Sequence, residues 1–293
     1  MISMKEGYVP FKGYRTYYQI FGKENSRKTP LLVLHGGPGS AHNYLLGLAA
    51  LAKDDRQVIF YDQLGCGKSD HPDNDSLWQI PLFVEEVTVI RKALDLDKIH
   101  LLGHSWGGML AIEYLLTKPN GIQSAVLASP MISMPLYNAE VEKLKKVLPG
   151  DTYKILRTHE LAGTTSSEQY AQAYNVYKKY YLFRGNEFPA KYSAPNRNGD
   201  DVYSKMWGVS EAYGNGTMKN WDRIKQLHNI LVPTLITSGQ YDELTPWQAG
   251  VARNHIPNSQ LKIFTNGSHL VHIEQEQLYL EELADFLKST EIK

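Results

Sequence analysis

The chain carries a Gly-x-Ser-x-Gly pattern at residues 103–107, placed between an apolar run and a helix-like segment. The run 99–102 is typical of a short buried strand, and residues 109–116 continue as an apolar helix that ends before Pro119. Glycines in this pattern permit a sharp turn between strand and helix, which holds a serine hydroxyl out of the sheet. The pattern therefore predicts an α/β fold with Ser105 at the end of a strand, as in a serine hydrolase.

Apolar runs alternate with helix-like stretches along much of the chain. This alternation predicts a mostly parallel sheet with helices on both faces. Residues 7–11 and 14–21 flank Lys12-Gly13 and predict a hairpin that forms an antiparallel edge. Residues 278–287 close the chain as an amphipathic helix. The predicted parallel strands are 31–34, 58–61, 99–102, 125–128, 233–237 and 261–264.

The pattern changes between residues 133 and 220. This segment is helical, polar and rich in tyrosine, with five tyrosines between residues 170 and 181. We interpret it as a helical cap, inserted into a catalytic domain that comprises residues 1–132 and 221–293. Because open α/β sheets bind their ligands at the carboxyl ends of the strands, we expect the cap over that edge.

Composition argues against several classes of partner. Lys plus Arg and Asp plus Glu each number 31, so the formal net charge is +0, and no basic run offers a surface for nucleic acid. No apolar stretch reaches the roughly 18 residues of a membrane span, and the N-terminus lacks the pattern of a signal peptide. The single cysteine, Cys66, cannot form an internal disulfide. We expect a cytoplasmic protein, leaving open association with the cell envelope and the oligomeric state.

A serine nucleophile needs a general base and an acid that orients the base, and both must come from later in the chain. In this class of fold the order is Ser, then Asp or Glu, then His, at successive strand ends. Asp242 follows the predicted strand 233–237, and His269 follows the predicted strand 261–264. We therefore predict a triad of Ser105, Asp242 and His269.

Two residues compete for these roles. His272 lies three residues after His269 and is an alternative base, although the position directly after a strand end favours His269. Asp62 is an alternative acid that comes too early in the chain order. A role in bracing its loop is the preferred interpretation of Asp62.

A glycine-rich turn follows the first predicted parallel strand. Residues 35–39 read His-Gly-Gly-Pro-Gly, and glycines expose backbone N–H groups without side-chain obstruction. The oxyanion formed in acyl transfer needs such preorganised donors. We predict that the N–H groups of Gly37 and of Trp106, the residue after the serine, form an oxyanion hole.

Three motifs together resemble the proline iminopeptidase family. They are residues 35–39, residues 103–108, and residues 61–69 with the sequence Tyr-Asp-Gln-Leu-Gly-Cys-Gly-Lys-Ser. The resemblance implies an α/β-hydrolase fold with a helical cap, and an exopeptidase that releases proline from short peptides with a free N-terminal proline. The serine, aspartate and histidine of the family map onto the predicted triad.

The resemblance also implies a site for the substrate's amine. In the family, one glutamate directly after the catalytic aspartate and another on the cap contact the amino group, and the matching positions are Glu243 and Glu211. At the second position this chain reads Gly-Val-Ser-Glu, where the family usually has Gly-Pro-Asn-Glu. Because the pyrrolidine ring is compact and apolar, aromatic residues near the motifs are candidates for its pocket: Trp106, Trp207 and Tyr213.

Two other functions stay open at this stage. An amino-acid amidase or small-ester hydrolase could use the same scaffold, and a non-catalytic binding protein of hydrolase ancestry is a remote alternative. Glu243 and Glu211 discriminate the first of these, because a neutral ester offers no ammonium to bind. No H-E-x-x-H spacing occurs in the chain, and we expect neither a metal nor a cofactor.

Overall fold

A computed structural model describes residues 2–193 and 199–291 of the chain. Within these ranges, eight strands form one sheet in the order β1-β2-β4-β3-β5-β6-β7-β8. The strands are β1 (Met4–Phe11), β2 (Tyr14–Phe21), β3 (Leu31–Leu34), β4 (Val58–Tyr61), β5 (Ile99–His104), β6 (Ile122–Ala128), β7 (Thr234–Gly239) and β8 (Ser259–Phe264).

The sheet is parallel except at one edge. The neighbouring pairs from β4 to β8 are parallel, whereas β2 runs antiparallel to both β1 and β4. The β1–β2 hairpin pairs Phe11 with Tyr14 across Lys12 and Gly13, and both turn residues have positive φ. Such a two-residue turn matches the right-handed twist of the strands. The parallel sheet and its antiparallel hairpin edge, predicted from the alternation of apolar runs, are confirmed.

Helices lie between the strands. Among the described residues, no helix is long and apolar enough to cross a membrane. A 3-10 helix also occupies His42–Asp54, after β3. The α-helices are α1 (Ile80–Ala93), α2 (Trp106–Leu116), α3 (Met134–Lys146), α4 (Thr152–Ala162), α5 (Glu168–Tyr181), α6 (Asp200–Met206), α7 (Pro246–His255), α8 (Val271–Glu274) and α9 (Glu276–Glu291).

Helices cover both faces of the sheet, and successive residues of each strand point to opposite faces. In β3, Leu31 and Val33 join a core that includes residues of α9. Leu32 and Leu34 join the core on the other side, which includes residues of α1 and α2. Since both faces are buried, the central strands are continuously apolar, which explains the runs seen in the sequence.

Helices α3 to α6 lie in the chain between β6 and β7. The chain leaves and re-enters the sheet region at neighbouring points, because Ser133 forms an isolated bridge with Asp222 and the Met134 N–H donates to the Trp221 carbonyl at 2.8 Å. The two ends of the segment are thus held together. The division of the chain into a catalytic domain and a cap of residues 133–220 stays a prediction.

Candidate active site

Ser105 occupies the turn between β5 and α2, at the carboxyl end of a central strand. Its φ of 58° and ψ of −121° lie in a region that non-glycine residues rarely adopt. The flanking glycines permit this backbone, because a Cβ at Gly103 would collide with the backbone of Gly107, and a Cβ at Gly107 would collide with the Leu34 carbonyl. The turn places Ser105 in the wall of a cavity.

Asp242 and His269 follow β7 and β8, which are adjacent strands. His269 Nδ1 lies 2.8 Å from Asp242 Oδ1, which also accepts the Leu244 N–H at 2.9 Å. Both side chains are buried. Because Nδ1 donates to the carboxylate, the neutral His269 ring carries its lone pair on Nε2, the arrangement that a general base requires. Ser105 and His269 line the same cavity.

Three carboxyl groups act on His269, of which Asp242 and Glu243 are fully buried and Glu211 is half-buried. Burial by itself disfavours the charged ring, but Asp242 and, more weakly, Glu243 and Glu211 outweigh it and raise the pKa of His269 to about 9. The imidazolium that forms when the ring accepts a proton is therefore strongly stabilised.

His104 packs between His269 and a third histidine, His272. The ring of His104 has its centroid 4.7 Å from that of His269 and 4.8 Å from that of His272. His104 Nε2 donates to the His269 carbonyl at 3.1 Å, and the Tyr44 hydroxyl donates to His104 Nδ1 at 2.9 Å. Burial lowers the pKa of His272 to about 3, and its Nε2 has no hydrogen-bond partner in the described part of the chain. Asp242 therefore pairs with His269, while His272 lies behind it.

The glycine turn approaches the serine closely. A Cβ at Gly36 would lie 3.2 Å from Ser105 Cβ, and the Gly36 N–H donates to the Tyr44 hydroxyl at 2.7 Å. Gly37 has a φ of 115°, which favours glycine, and lines the cavity beside Ser105. Trp106 opens α2 directly after the serine, and its indole ring is fully buried. Its side chain thus packs in the core, while its N–H belongs to the first turn of α2.

Asp62 and His35 brace the loops beneath this turn. Asp62 Oδ1 lies 2.7 Å from His42 Nδ1, and its Oδ2 accepts the Lys68 N–H at 2.9 Å. The Gln63 N–H donates to His35 Nε2 at 2.9 Å, and His35 Nδ1 in turn donates to the carbonyl of the following glycine at 2.9 Å. Both side chains are committed to loop contacts, which agrees with the bracing role preferred for Asp62.

Glu243 and Glu211 face the same cavity as Ser105 and His269. The Tyr177 hydroxyl donates to Glu243 Oε2 at 2.8 Å, and the Tyr203 hydroxyl donates to Glu211 Oε2 at 2.8 Å. Burial raises the pKa of both carboxyl groups, and the pKa of Glu243 is raised further by the proximity of Glu211. Two carboxyl groups that are costly to ionise alone would bind a cation strongly.

The cavity has a volume of about 470 Å³. Its aromatic side chains come from several elements. Among the described residues, no group of three or more His, Cys, Asp or Glu side chains is arranged to hold a metal ion. A small apolar ring with one cationic end fits a cavity with mixed walls and paired carboxylates at one side. The aromatic residues that line it are Tyr44, Phe188, Tyr192 and Tyr203.

Three aromatic residues that the sequence suggested for the pocket lie outside its lining, among the residues that the structure describes. Trp106 is buried in the core, and Trp207 packs its ring 6.3 Å from that of Tyr203, with its indole N–H bound to a backbone carbonyl. Tyr213 lies instead beside Lys145, whose ammonium is 6.0 Å from the ring centroid. Proximity in sequence to Ser105 or Glu211 does not determine on which side of the backbone a ring packs. Tyr203 lines the cavity wall where Trp207 and Tyr213 were expected.

The tyrosine donors of the two glutamates are the functional residues that sequence reasoning missed. Tyr177 belongs to the tyrosine-rich segment of α5, and Tyr203 belongs to α6. Tyrosines at helical spacing that also face buried carboxylates would have been the signal. That second condition is tertiary and has no pattern in the sequence.

The fold and the site define an α/β hydrolase. A family profile described as alpha/beta hydrolase fold matches residues 29–276. Within this class, the chain belongs to the proline iminopeptidase family. A proline iminopeptidase from Heyndrickxia coagulans is 43% identical over 286 residues, which cover 97% of this chain and 99% of that protein.

Other relatives agree in sequence and in structure. A proline iminopeptidase from Clostridium botulinum is 39% identical over 297 residues, which cover 99% of this chain and 100% of that protein. The crystal structure of a proline iminopeptidase from Mycobacterium smegmatis superposes with a TM-score of 0.89 at 34% identity, covering 98% of this chain and 99% of that one. The similarity therefore spans the sheet and the helices between β6 and β7 alike.

Proposed function

We propose that the chain is a serine exopeptidase that releases an N-terminal proline from peptides. One arrangement carries this proposal: two carboxyl groups, Glu211 and Glu243, lie in the same cavity as Ser105 and His269. An aminopeptidase must hold a cationic amine near the scissile carbonyl, whereas a hydrolase of neutral esters has no use for paired carboxylates there. The proline iminopeptidase relatives support the same substrate.

In the first half of the reaction, Ser105 Oγ attacks the carbonyl carbon of the N-terminal proline while His269 Nε2 accepts the hydroxyl proton. Asp242 holds the ring in the required tautomer and stabilises the imidazolium. The N–H groups of Gly37 and Trp106 bind the oxyanion of the tetrahedral intermediate. His269 then returns the proton to the leaving nitrogen, the C–N bond breaks, and the shortened peptide departs from a prolyl-Ser105 ester.

Water completes the cycle. A water molecule gives its proton to His269 and attacks the prolyl carbonyl, and collapse of the second intermediate returns the proton to Ser105 Oγ and releases proline. Each proton that His269 accepts is given up again within the cycle, so both halves of the reaction balance and neither needs a redox partner.

The substrate's secondary ammonium has two N–H groups, which donate hydrogen bonds to the carboxylates of Glu211 and Glu243. Such charge-assisted hydrogen bonds fix the amine, and hence the carbonyl, relative to Ser105. Neutralising the two carboxyl groups also removes part of the field that raises the pKa of His269. Binding of the correct substrate thus favours the neutral ring that can act as a base.

A panel of anilides tests the proposal. Prolyl anilide should be cleaved faster than alanyl and leucyl anilides, and N-blocked prolyl anilide should not be turned over, because it offers no ammonium. A Ser105→Ala variant should lose turnover of every substrate while keeping its melting temperature. Full activity of that variant, or equal cleavage of blocked and free proline, would contradict the proposal.

The same panel addresses an amidase or small-ester hydrolase on this scaffold. That function predicts cleavage of a neutral acyl ester with kcat/KM equal to or above that of prolyl anilide, and no selective loss with prolyl anilide when Glu243 is substituted. The cytoplasmic location expected from the sequence stays a prediction, which fractionation of cells would test.

A further inference from the structure

The loop that carries Glu211 is fixed by buried side chains at three consecutive carbonyl groups. Within residues 210–212, the first carbonyl accepts the Trp207 indole N–H at 3.0 Å, the second accepts the Tyr137 hydroxyl at 2.6 Å, and the third accepts the Lys145 ammonium at 3.1 Å. All three donors are buried. A loop peptide group usually bonds to solvent or to a neighbouring turn, so three successive side-chain donors hold this segment unusually firmly.

The third donor is a buried ion. Lys145 lies on α3 and is 1% exposed, and its ammonium lies 2.6 Å from Glu160 Oε2 on α4 and 3.3 Å from Glu142 Oε2. With the Ala212 carbonyl, these carboxylates give the three N–H groups of the ammonium three acceptors. One lysine thus connects α3 and α4 to the residue directly after Glu211.

Stability alone does not explain a charge at this position. Desolvation of a buried ion pair offsets most of its attraction, and apolar residues of the same volume stabilise a core as well or better. Burial raises the pKa of Glu160 despite the neighbouring lysine, which reflects that cost. An apolar side chain in place of Lys145, however, could not bind the Ala212 carbonyl.

We propose that Lys145, held by Glu160, is a positioning residue that sets Glu211 against the substrate's amine. Lys145 fixes the backbone on the C-terminal side of Glu211, Tyr137 fixes the Glu211 carbonyl itself, and Tyr203 orients the carboxylate. The inference rests on the proposed function, since it assigns Glu211 to amine binding. Without the lysine, the carboxylate moves away from its place beside Glu243, and the amine loses one acceptor.

The test removes the two fully buried charges together, so that neither is left unpaired, and keeps the partly exposed Glu142. In a Lys145→Met/Glu160→Gln double variant, KM for prolyl anilide should rise about tenfold with kcat within about twofold, which corresponds to about 1.4 kcal/mol of binding. The KM of a neutral ester should not change. Lys143→Met on the same helix, whose ammonium is exposed, is the matched control and should leave both substrates unaffected.

A double-mutant cycle separates positioning from general loosening of the fold. If Lys145 acts through Glu211, the double variant should raise KM no further in a Glu211→Gln background. An equal rise in that background, or an equal loss with the neutral ester, would overturn the inference. If the double variant does not fold, Tyr137→Phe tests the same loop without a charge, and an unchanged KM for prolyl anilide in that variant would overturn it too.

The outcome is distinct from a failure of the proposed function. If the wild-type protein does not prefer a free N-terminal proline, the proposed function fails before any variant is compared. If it does, and the variants leave KM unchanged, the function stands and only the role of Lys145 falls.

Discussion

The proposed nucleophile site and the proposed amine site of this molecule are built in different ways. The nucleophile site, Ser105 with Asp242 and His269, comes from turns that directly follow β5, β7 and β8. The amine site, Glu211 and Glu243, joins one of those turns to a loop after α6, and its hydroxyl donors come from helices between β6 and β7. The first depends on the backbone of the sheet, whereas the second depends on side-chain contacts between separate parts of the chain.

This difference predicts a separation of effects. Changes in the nucleophile site should reduce turnover of every substrate, because all of them pass through the same intermediates. Changes in the amine site should affect only substrates with a free amine. Comparing one charged and one neutral substrate in each variant therefore tells which site a residue serves.

Apart from Ser105→Ala, the largest effect is expected for Asp242→Asn. Asparagine keeps the size of the side chain but stabilises the wrong tautomer of His269, so kcat should fall about 10⁴-fold with both prolyl anilide and a neutral ester. Steady-state kinetics with the two substrates checks this, and Asp285→Asn on the surface of α9 is the matched control. A loss confined to prolyl anilide would move Asp242 from the nucleophile site to the amine site.

Glu243→Gln should come next. Glutamine can still accept from Tyr177 but loses the charge that binds the ammonium, so kcat/KM for prolyl anilide should fall about 100-fold, as expected for truncating a buried charge pair. The ester should change by less than threefold. Glu211→Gln should show the same selectivity with a smaller loss, since Glu211 is only half-buried whereas Glu243 is 1% exposed. Equal losses with both substrates would remove the boundary between the sites.

Tyr203→Phe should have a smaller effect of the same kind. The substitution removes the hydroxyl that donates to Glu211 and retains the ring in the cavity wall. KM for prolyl anilide should therefore rise about fivefold, which corresponds to about 1 kcal/mol, the net contribution of a typical hydrogen bond. Tyr180→Phe, on the exposed face of α5, is the control. An unchanged KM would show that Glu211 needs no orienting donor.

The nucleophile site is also the part that the sequence predicts well. Its signals are local patterns: strands of continuous apolar residues, a hairpin at Lys12-Gly13, and polar residues directly after strands. The parallel sheet then brings the carboxyl ends of the strands together, whatever residues connect one strand to the next. The strands extend up to three residues beyond the predicted bounds, as in β6, because backbone pairing continues past the apolar run. Asp242 and His269 needed only the order of the strands to be placed side by side.

The amine site could not be assembled from local patterns. Tyr177 and Tyr203 are separated from their carboxylate partners by 66 and 8 residues, and neither spacing predicts a contact across a cavity. Trp207 and Tyr213 flank Glu211 in the sequence but pack away from the cavity, since a loop without regular periodicity gives no rule for the side on which a ring lies. Predicting this site requires the packing of α3 to α6 on the sheet.

The smallest expected effect links the two sites through pH. His269 must be neutral to act as a base, and the carboxyl groups of the amine site help to raise its pKa to about 9. Glu243→Gln removes one of these groups and lowers the pKa of His269. The acidic limb of kcat/KM for a neutral ester should then move to lower pH by about half a pH unit. On that limb the variant should be roughly threefold faster than the wild type. Glu281→Gln, an exposed glutamate of α9, should leave the limb in place. Because the ester carries no amine, a shift in its profile reports the field of an ionised Glu243 at His269. An unshifted limb would mean that Glu243 is uncharged in the free site, as its raised pKa favours, or that the two sites are electrostatically independent.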